Sequence, residues 1–434
     1  MKVSGAPASM PGPPPPAWRN DSANIAITAS FNRYLSHVPL TRMYDGSVTD
    51  EQPVQTSWSI VGDMPYALKD GVACWMAPSA SFTEGEVLFA GGLWPQGIAH
   101  ERSIRVLRNR SFSYDVARKT WAPLPLPPFE PGRTQGACLD SSVIIISGGD
   151  GGNIGSRVMR LSKSGSRWAW DTALPTLPLN AARYTAAAHA IDNRWLLIGL
   201  GTGASSDGVM VPYRLDLLCD QPRWESFPAH PLSDRAITVP IGAIVGGKWL
   251  VFGGQHELAP SSAAASAWAE IPTDIATLGA FGPRPSGSTE DVRDAFAYDP
   301  AANEWEEMPK LPMSFVQGPK HAPVVGGRYV LLLGTQRRLT VRRGQEPSGY
   351  MAAVGRPQIK NLIDYYGDDA LFYDAVDRVY GSLGKIPYGL CTAQWVCNGT
   401  HALGFGGEPG HGWNGNTESA IQMATLAVRL QTVL

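Results

Sequence analysis

Residues 294–312 read DAFAYDPAANEWEEMPKLP. Two stretches that alternate apolar and polar residues flank a short polar link, the pattern of two antiparallel strands joined by a turn. Tyr298 and Trp305 stand seven residues apart, Asp299 opens the link, and Pro312 follows Trp305 by seven more. An Asp in that position accepts backbone N–H groups just ahead of it and so favours a turn.

The same spacing recurs along the chain. Six aromatics are each followed seven positions later by proline: Trp58/Pro65, Trp121/Pro128, Trp168/Pro175, Trp224/Pro231, Trp305/Pro312 and Tyr380/Pro387. After each proline comes an apolar run ending in a small residue, at Gly92, Gly149, Gly201, Gly254, Thr335 and Gly407. Tyr114, Leu161, Tyr298 and Tyr373 precede four of the aromatics by seven, and Asp115, Asp299 and Asp374 follow three of those residues. One unit therefore reads as a four-stranded antiparallel sheet. An inner strand follows the proline, the Gly-Gly run is second, the Tyr-Asp run third, and the aromatic sits on the short outer strand. A lone sheet of this kind cannot bury both faces, so the units must stack on one another.

The Gly-Gly, Tyr-Asp and Trp positions resemble kelch repeats over residues 55 to 434. The resemblance implies an all-β, six-bladed kelch β-propeller. Trp58 has no Tyr-Asp run before it, whereas the last Gly-Gly is followed by the strand-like IQMATLAVRL at 421–430. The N-terminal strand is thus expected to complete the last blade and close the ring, which removes an exposed edge. Residues 1–50, with the PGPPPP run, are expected to form a Pro-rich tail outside the propeller of 51–434. Long inserts are expected at 258–291 and 336–369.

Composition excludes several partner classes. Net charge is −2 with no basic stripe, which argues against nucleic acid. No run of 18 apolar residues occurs, so no membrane partner is expected. The start lacks a charged segment followed by an apolar one, so the chain is expected to be cytoplasmic. Of the five cysteines, Cys74, Cys138, Cys219, Cys391 and Cys397, four lie in apolar stretches and are expected to be buried free thiols, with a disulfide or a reactive cysteine as the alternative.

Loops after the prolines and after the glycines should meet on one face, where the mouth of the ring is the default pocket. The residues delivered there include Arg133, Arg183, Gln255, His256, His321, Trp94, Tyr388 and Glu408. Arginines suit an anionic group through bidentate bonds, although an Arg after the proline also serves to bond loop carbonyls. His401 and Glu408 should lie at opposite ends of one strand, so neither metal nor cofactor is expected. Galactose oxidase's copper ligands and the nitrile-specifier iron motif have no counterpart.

The last unit, with Pro387-Tyr388-Gly389, Trp395, Asn398 and Gly406-Gly407-Glu408, resembles the closing blade of the sialic acid mutarotases. That resemblance implies anomer interconversion of a carboxylated sugar, with Glu408 as acid/base and Arg133 and Arg183 as carboxylate binders. The competing expectation is a non-enzymatic platform for protein–protein interaction.

Overall fold

The computed structural model describes residues 48–49 and, from 53 to 432, all but 66–67, 97–103, 108–109, 130–132, 150–154, 166, 204–210, 234–236, 258–288, 314, 317, 341–361, 387–389, 400, 410 and 414–423. The described chain is all β apart from one short 3-10 turn, Leu179–Ala181.

Each repeat unit becomes a sheet in the strand order expected. The first blade is built from Val72–Met76, Glu86–Ala90, Ser111–Asp115 and Thr120–Pro123. The second takes Arg133–Leu139, Ser142–Gly149, Val158–Ser164 and Arg167–Asp171, and the third Ala187–Ile191, Trp195–Gly199, Tyr213–Asp216 and Trp224–Ser226. The fourth comprises Ile241–Val245, Lys248–Phe252, Ala295–Asp299 and Glu304–Met308. The closing blade pairs Gln394–Cys397, His401–Phe405 and Ala424–Thr432 with Val54–Asp63 from the other end of the chain. The two ends therefore latch the ring as the sequence led one to expect.

The expectation of six like blades is corrected to five. Between the fourth and closing blades stands a six-stranded sheet instead. Its second and third strands, Tyr329–Thr340 and Leu362–Asp374, run on past the usual length into the insert. That long hairpin recruits His411–Trp413 on one edge, while Val48–Thr49 joins the outer strand Val379–Lys385.

Apolar clusters lie between neighbouring sheets. Tyr114 and Trp121 of the first blade pack on Phe405 of the closing blade, with centroids 5.8 and 5.4 Å apart. Phe252 of the fourth blade meets Tyr373 of the six-stranded sheet at 5.5 Å. Indole and phenol tips add a polar tie to the preceding sheet. Trp170, Trp224 and Trp305 donate from Nε1 to the carbonyls of Pro125, Pro175 and Pro228 at 2.7, 2.9 and 2.8 Å. Tyr380 donates from its hydroxyl to Pro309 at 2.8 Å. In the second blade this donor is Trp170 and not Trp168, the aromatic of the repeat spacing, because Leu161 pairs in register with Trp170.

The Asp turns are present. Asp115, Asp299 and Asp374 accept N–H bonds from Arg118, from Ala301 and Ala302, and from Val376 and Asp377 respectively. Asp216 does the same for Leu218. Thr335, which replaces the second glycine of its unit, is fully buried and holds the backbone N–H of Val316 at 2.8 Å.

Cys74 and Cys138 form a disulfide between the innermost strands of the first and second blades, which corrects the expectation of free thiols for this pair. Closing a loop of 64 residues in the unfolded chain contributes about 4 kcal/mol in the chain-entropy view.

At Gly406 the backbone has φ +61°, and a Cβ there would run into the Leu68 carbonyl. Gly407 donates to that same carbonyl at 3.0 Å, so the junction between the closing and first blades needs this close approach. Gly406→Ala is expected to cost about 3 kcal/mol or more by urea unfolding. Gly246→Ala, at φ +57° with open space around it, should cost only about 1 kcal/mol. Equal losses at the two positions would remove the steric reading of this junction.

Candidate functional site

Short ladders at one end of the ring bring the post-proline and post-glycine segments together. Arg183 pairs with Gly203, Thr238 with Gln255, Ile237 with His256, and Cys391 with Glu408. Arg133 stands opposite Gly149 at the same end of its blade. These pairings place the backbones of Arg133, Arg183, Gln255, His256 and Glu408 where inner strands begin and second strands end. Trp94 follows Gly92 in Leu93–Gln96, which pairs with Ile104–Leu107. Tyr388 lies outside the described residues.

Arg183 does not present its charge to that mouth. It is 1% exposed, and its guanidinium donates to the carbonyls of Ala181, Leu200 and Val211 at 2.8, 3.3 and 2.8 Å. Burial lowers its pKa to about 10. Its sequence neighbourhood explains this, since the 3-10 turn before it and the strand exit at Leu200 both leave carbonyls without ladder partners. In this arrangement Arg183 braces three loop carbonyls, and its guanidinium is turned away from solvent.

His321 is not at the mouth either. The segment 320–322 runs beside the inner strand of the fourth blade, with Gly242 donating to the Lys320 carbonyl and Ala322 donating to Gly242. From there two side chains cross the axis. Lys320 Nζ reaches the carbonyls of Thr134 (2.7 Å) and Asp70 (3.3 Å), with the Asp70 carboxylate at 3.5 Å. His321 Nε2 lies 2.8 Å from the Gly136 carbonyl and 2.9 Å from that of Ala188. Because both partners only accept, Nε2 carries the hydrogen and Nδ1 is left as the acceptor. Lys320 and His321 together plug the channel.

Beneath the plug lies a cavity of about 320 Å³ lined by His189, His321, Cys138, Trp75, Trp395 and Cys397 among others. His189 did not stand out in the sequence, where it sits inside the strand Ala187–Ile191. Its ring centroid is 4.5 Å from that of His321. Its Nδ1 accepts the Trp249 indole N–H at 3.1 Å, and its Nε2 has no hydrogen-bond partner. Gly242 makes room for this ring, since a Cβ there would strike it.

A second concavity, of about 590 Å³, opens between the closing and first blades. Trp58, Val61, Trp75, Tyr114 and Leu403 form its apolar floor, and Glu84, Lys119, Asn398 and His401 its polar rim. The Asn398-Gly399 turn is set by Asn398 Oδ1, which accepts the His401 backbone N–H at 2.8 Å. His401 begins the strand His401–Phe405 and Glu408 follows its far end, as the sequence led one to expect. Among the described residues, no group of three or more His, Cys, Asp or Glu side chains has the geometry of a metal site. No described helix is long and apolar enough to cross a membrane.

Compared with known proteins, the chain matches no protein family and no curated relative.

Burial holds three imidazoles neutral. The pKa of His189 is pushed well below the ordinary histidine range, that of His321 is lowered, and that of His230, packed against Trp305 and Phe296, falls to about 4. An unfolded chain takes up these protons from water at about pH 6.5, whereas the folded one, with its Cys74–Cys138 bridge closed, takes them up only at lower pH. Stability is therefore full above pH 6.5 and is lost as pH falls, for His230 down to about pH 4. Each such group contributes a slope of up to about 1.4 kcal/mol per pH unit. Urea midpoints taken from pH 7.5 to 5 should fall with the slope of at least one proton, and a flat profile would contradict the burial of neutral imidazoles.

Proposed function

We propose that this propeller is a rigid, non-enzymatic platform of the kelch type that binds a segment of a partner protein in the groove between its closing and first blades. The observation that carries the reading is the groove itself. It has an aromatic floor and a polar rim, the anatomy of a protein-binding hot spot. Its floor is held by ring packing, Trp58 against Trp395 at 6.0 Å and Tyr114 against Trp121 at 4.9 Å, so little side-chain freedom is lost on binding. The plugged axis and the brace role of Arg183 count on the same side, because a sugar site at the mouth would want open depth and an available cation. A cytoplasmic location belongs to this proposal too, as does the absence of nucleic acid among its partners.

A displayed library of random peptides selected on the wild-type protein tests this. Enriched peptides should lose at least about tenfold in affinity on Ser59→Trp, which fills the groove, and bind Glu408→Gln unchanged. Enrichment no greater than on a bare surface, or binding indifferent to Ser59→Trp, would sink the proposal.

One observation favours a second reading, mutarotation of a carboxylated sugar. It is supported by the backbone pairings of Glu408 with Cys391 and of Arg133 with Gly149 at the ends of their strands. In this reading Arg133 holds the carboxylate, with Gln255, His256, Trp94 and Tyr388 around the sugar and Glu408 moving the proton. Proton NMR of a freshly dissolved single anomer of sialic acid distinguishes the two. Faster equilibration abolished by Glu408→Gln would support the enzyme, and an unchanged rate would leave the platform alone.

A further inference from the structure

The Cys74–Cys138 bridge has asymmetric surroundings. Cys74 is fully buried among Val72, Met76, Leu88, Val143 and Leu161. Cys138 is only partly buried and lines the cavity beneath the plug. The Nδ1 atom of His321 lies 3.4 Å from Cys138 Sγ. That nitrogen carries no hydrogen, because Nε2 must donate to the Gly136 and Ala188 carbonyls. The cavity also holds His189, buried and with Nε2 unpartnered. One sulfur thus faces a space that a small molecule can enter, with a proton acceptor already aimed at it. The other faces hydrocarbon. A cross-link that served only stability would need neither the cavity nor the imidazole.

We infer that Cys138 and Cys74 form a redox-active pair, in which Cys138 exchanges with small thiols and disulfides entering the cavity and His321 Nδ1 accepts the Cys138 proton. In the reducing direction a thiolate RS⁻ attacks Cys138 Sγ, the S–S bond breaks, and Cys74 leaves and takes up a proton. A second RS⁻ attacks the RS sulfur of the mixed disulfide, giving RSSR and the Cys138 thiolate, which is protonated in turn. Two molecules of RSH are oxidised to RSSR, and the protein gains two S–H groups. In the oxidising direction the Cys138 proton passes to His321 Nδ1, where the new thiolate 3.4 Å away offsets the charge that burial disfavours, and the thiolate attacks RSSR, releasing RS⁻, which takes that proton. The Cys74 thiol then displaces the second RS⁻, which leaves with the Cys74 proton, and the bridge re-forms. Such exchange favours a thiol that ionises readily and is exposed.

Cys397 provides an internal comparison. It lines the same cavity as a free thiol, but burial pushes its pKa up to about 11. Position in the cavity alone therefore does not make a nucleophile.

The test is differential alkylation of the native full-length protein in glutathione buffers of graded poise, with each cysteine followed by mass spectrometry. Millimolar glutathione should open the bridge without unfolding. Once reduced, Cys138 should alkylate at least about tenfold faster than Cys74 or Cys397. The Cys74→Ser protein should accumulate glutathione on Cys138, and His321→Gln should slow Cys138 alkylation and move its pH–rate profile upward. The wild-type pH–rate profile gives the same information if a variant fails to fold. A bridge that opens only after urea unfolding would make it a structural cross-link and overturn the inference. So would equal reactivity of Cys74 and Cys138, or a pair that stays reduced under oxidised glutathione.

Discussion

Most of the ring hangs on one recurring bond, from the polar tip of an outer-strand aromatic to a proline carbonyl in the preceding sheet. Trp170, Trp224, Trp305 and Tyr380 all make it. A proline just beyond an outer strand has no N–H to continue a ladder, while its carbonyl still needs a donor. The indole or phenol supplies that donor and buries its plate against the neighbouring sheet in the same stroke. Four consecutive sheets, from the second blade to the six-stranded sheet, are each tied to their predecessor in this way. Where the ring must close, packing of Phe405 on Tyr114 and Trp121 takes over, backed by the bond from Gly407 to Leu68.

Much of this was legible because it repeats. Gly-Gly, Tyr-Asp and Trp at fixed offsets gave strand order and closure, since each residue type answers a local demand that every unit shares. Trp168 keeps the repeat spacing while Trp170 fills the structural place, since the two lie on the same face of a strand and only the register of the hairpin separates them. The disulfide was not readable, because neighbouring inner strands meet through the ring and not through local chain geometry. Arg183 shows the limit of residue type as a guide. An arginine near a mouth suggests an anion, but the loop around it left three carbonyls to satisfy. His189 gave no signal at all, being one polar residue in a strand of alanines. The enlarged sheet was missed because the insert reads as loop in composition yet extends two strands in the fold.

A propeller's hole invites the thought that chemistry lies there. Here the axis is occupied by the protein's own Lys320 and His321, each bonded to backbone carbonyls of the opposite blades. Filling the hole this way satisfies inner-strand carbonyls that a wide channel would leave to water. It also divides the molecule into two environments, a mouth of short ladders and a cavity behind the imidazoles. On the side of the ring, at the seam where its two ends meet, lies the groove proposed above for a partner.

That seam also sets an order of assembly. Val54–Asp63 is made early, but its partner Ala424–Thr432 emerges only after all the sheets between them. On a ribosome the first strand must wait with both edges bare while the other sheets stack from the first blade onward. The aromatic groove proposed for the partner does not exist during that interval, because Trp58 and Leu403 come together only in the finished closing blade. If the proposed function holds, synthesis itself acts as a gate on recognition: a chain that stops short of Ala424–Thr432 does not assemble the groove.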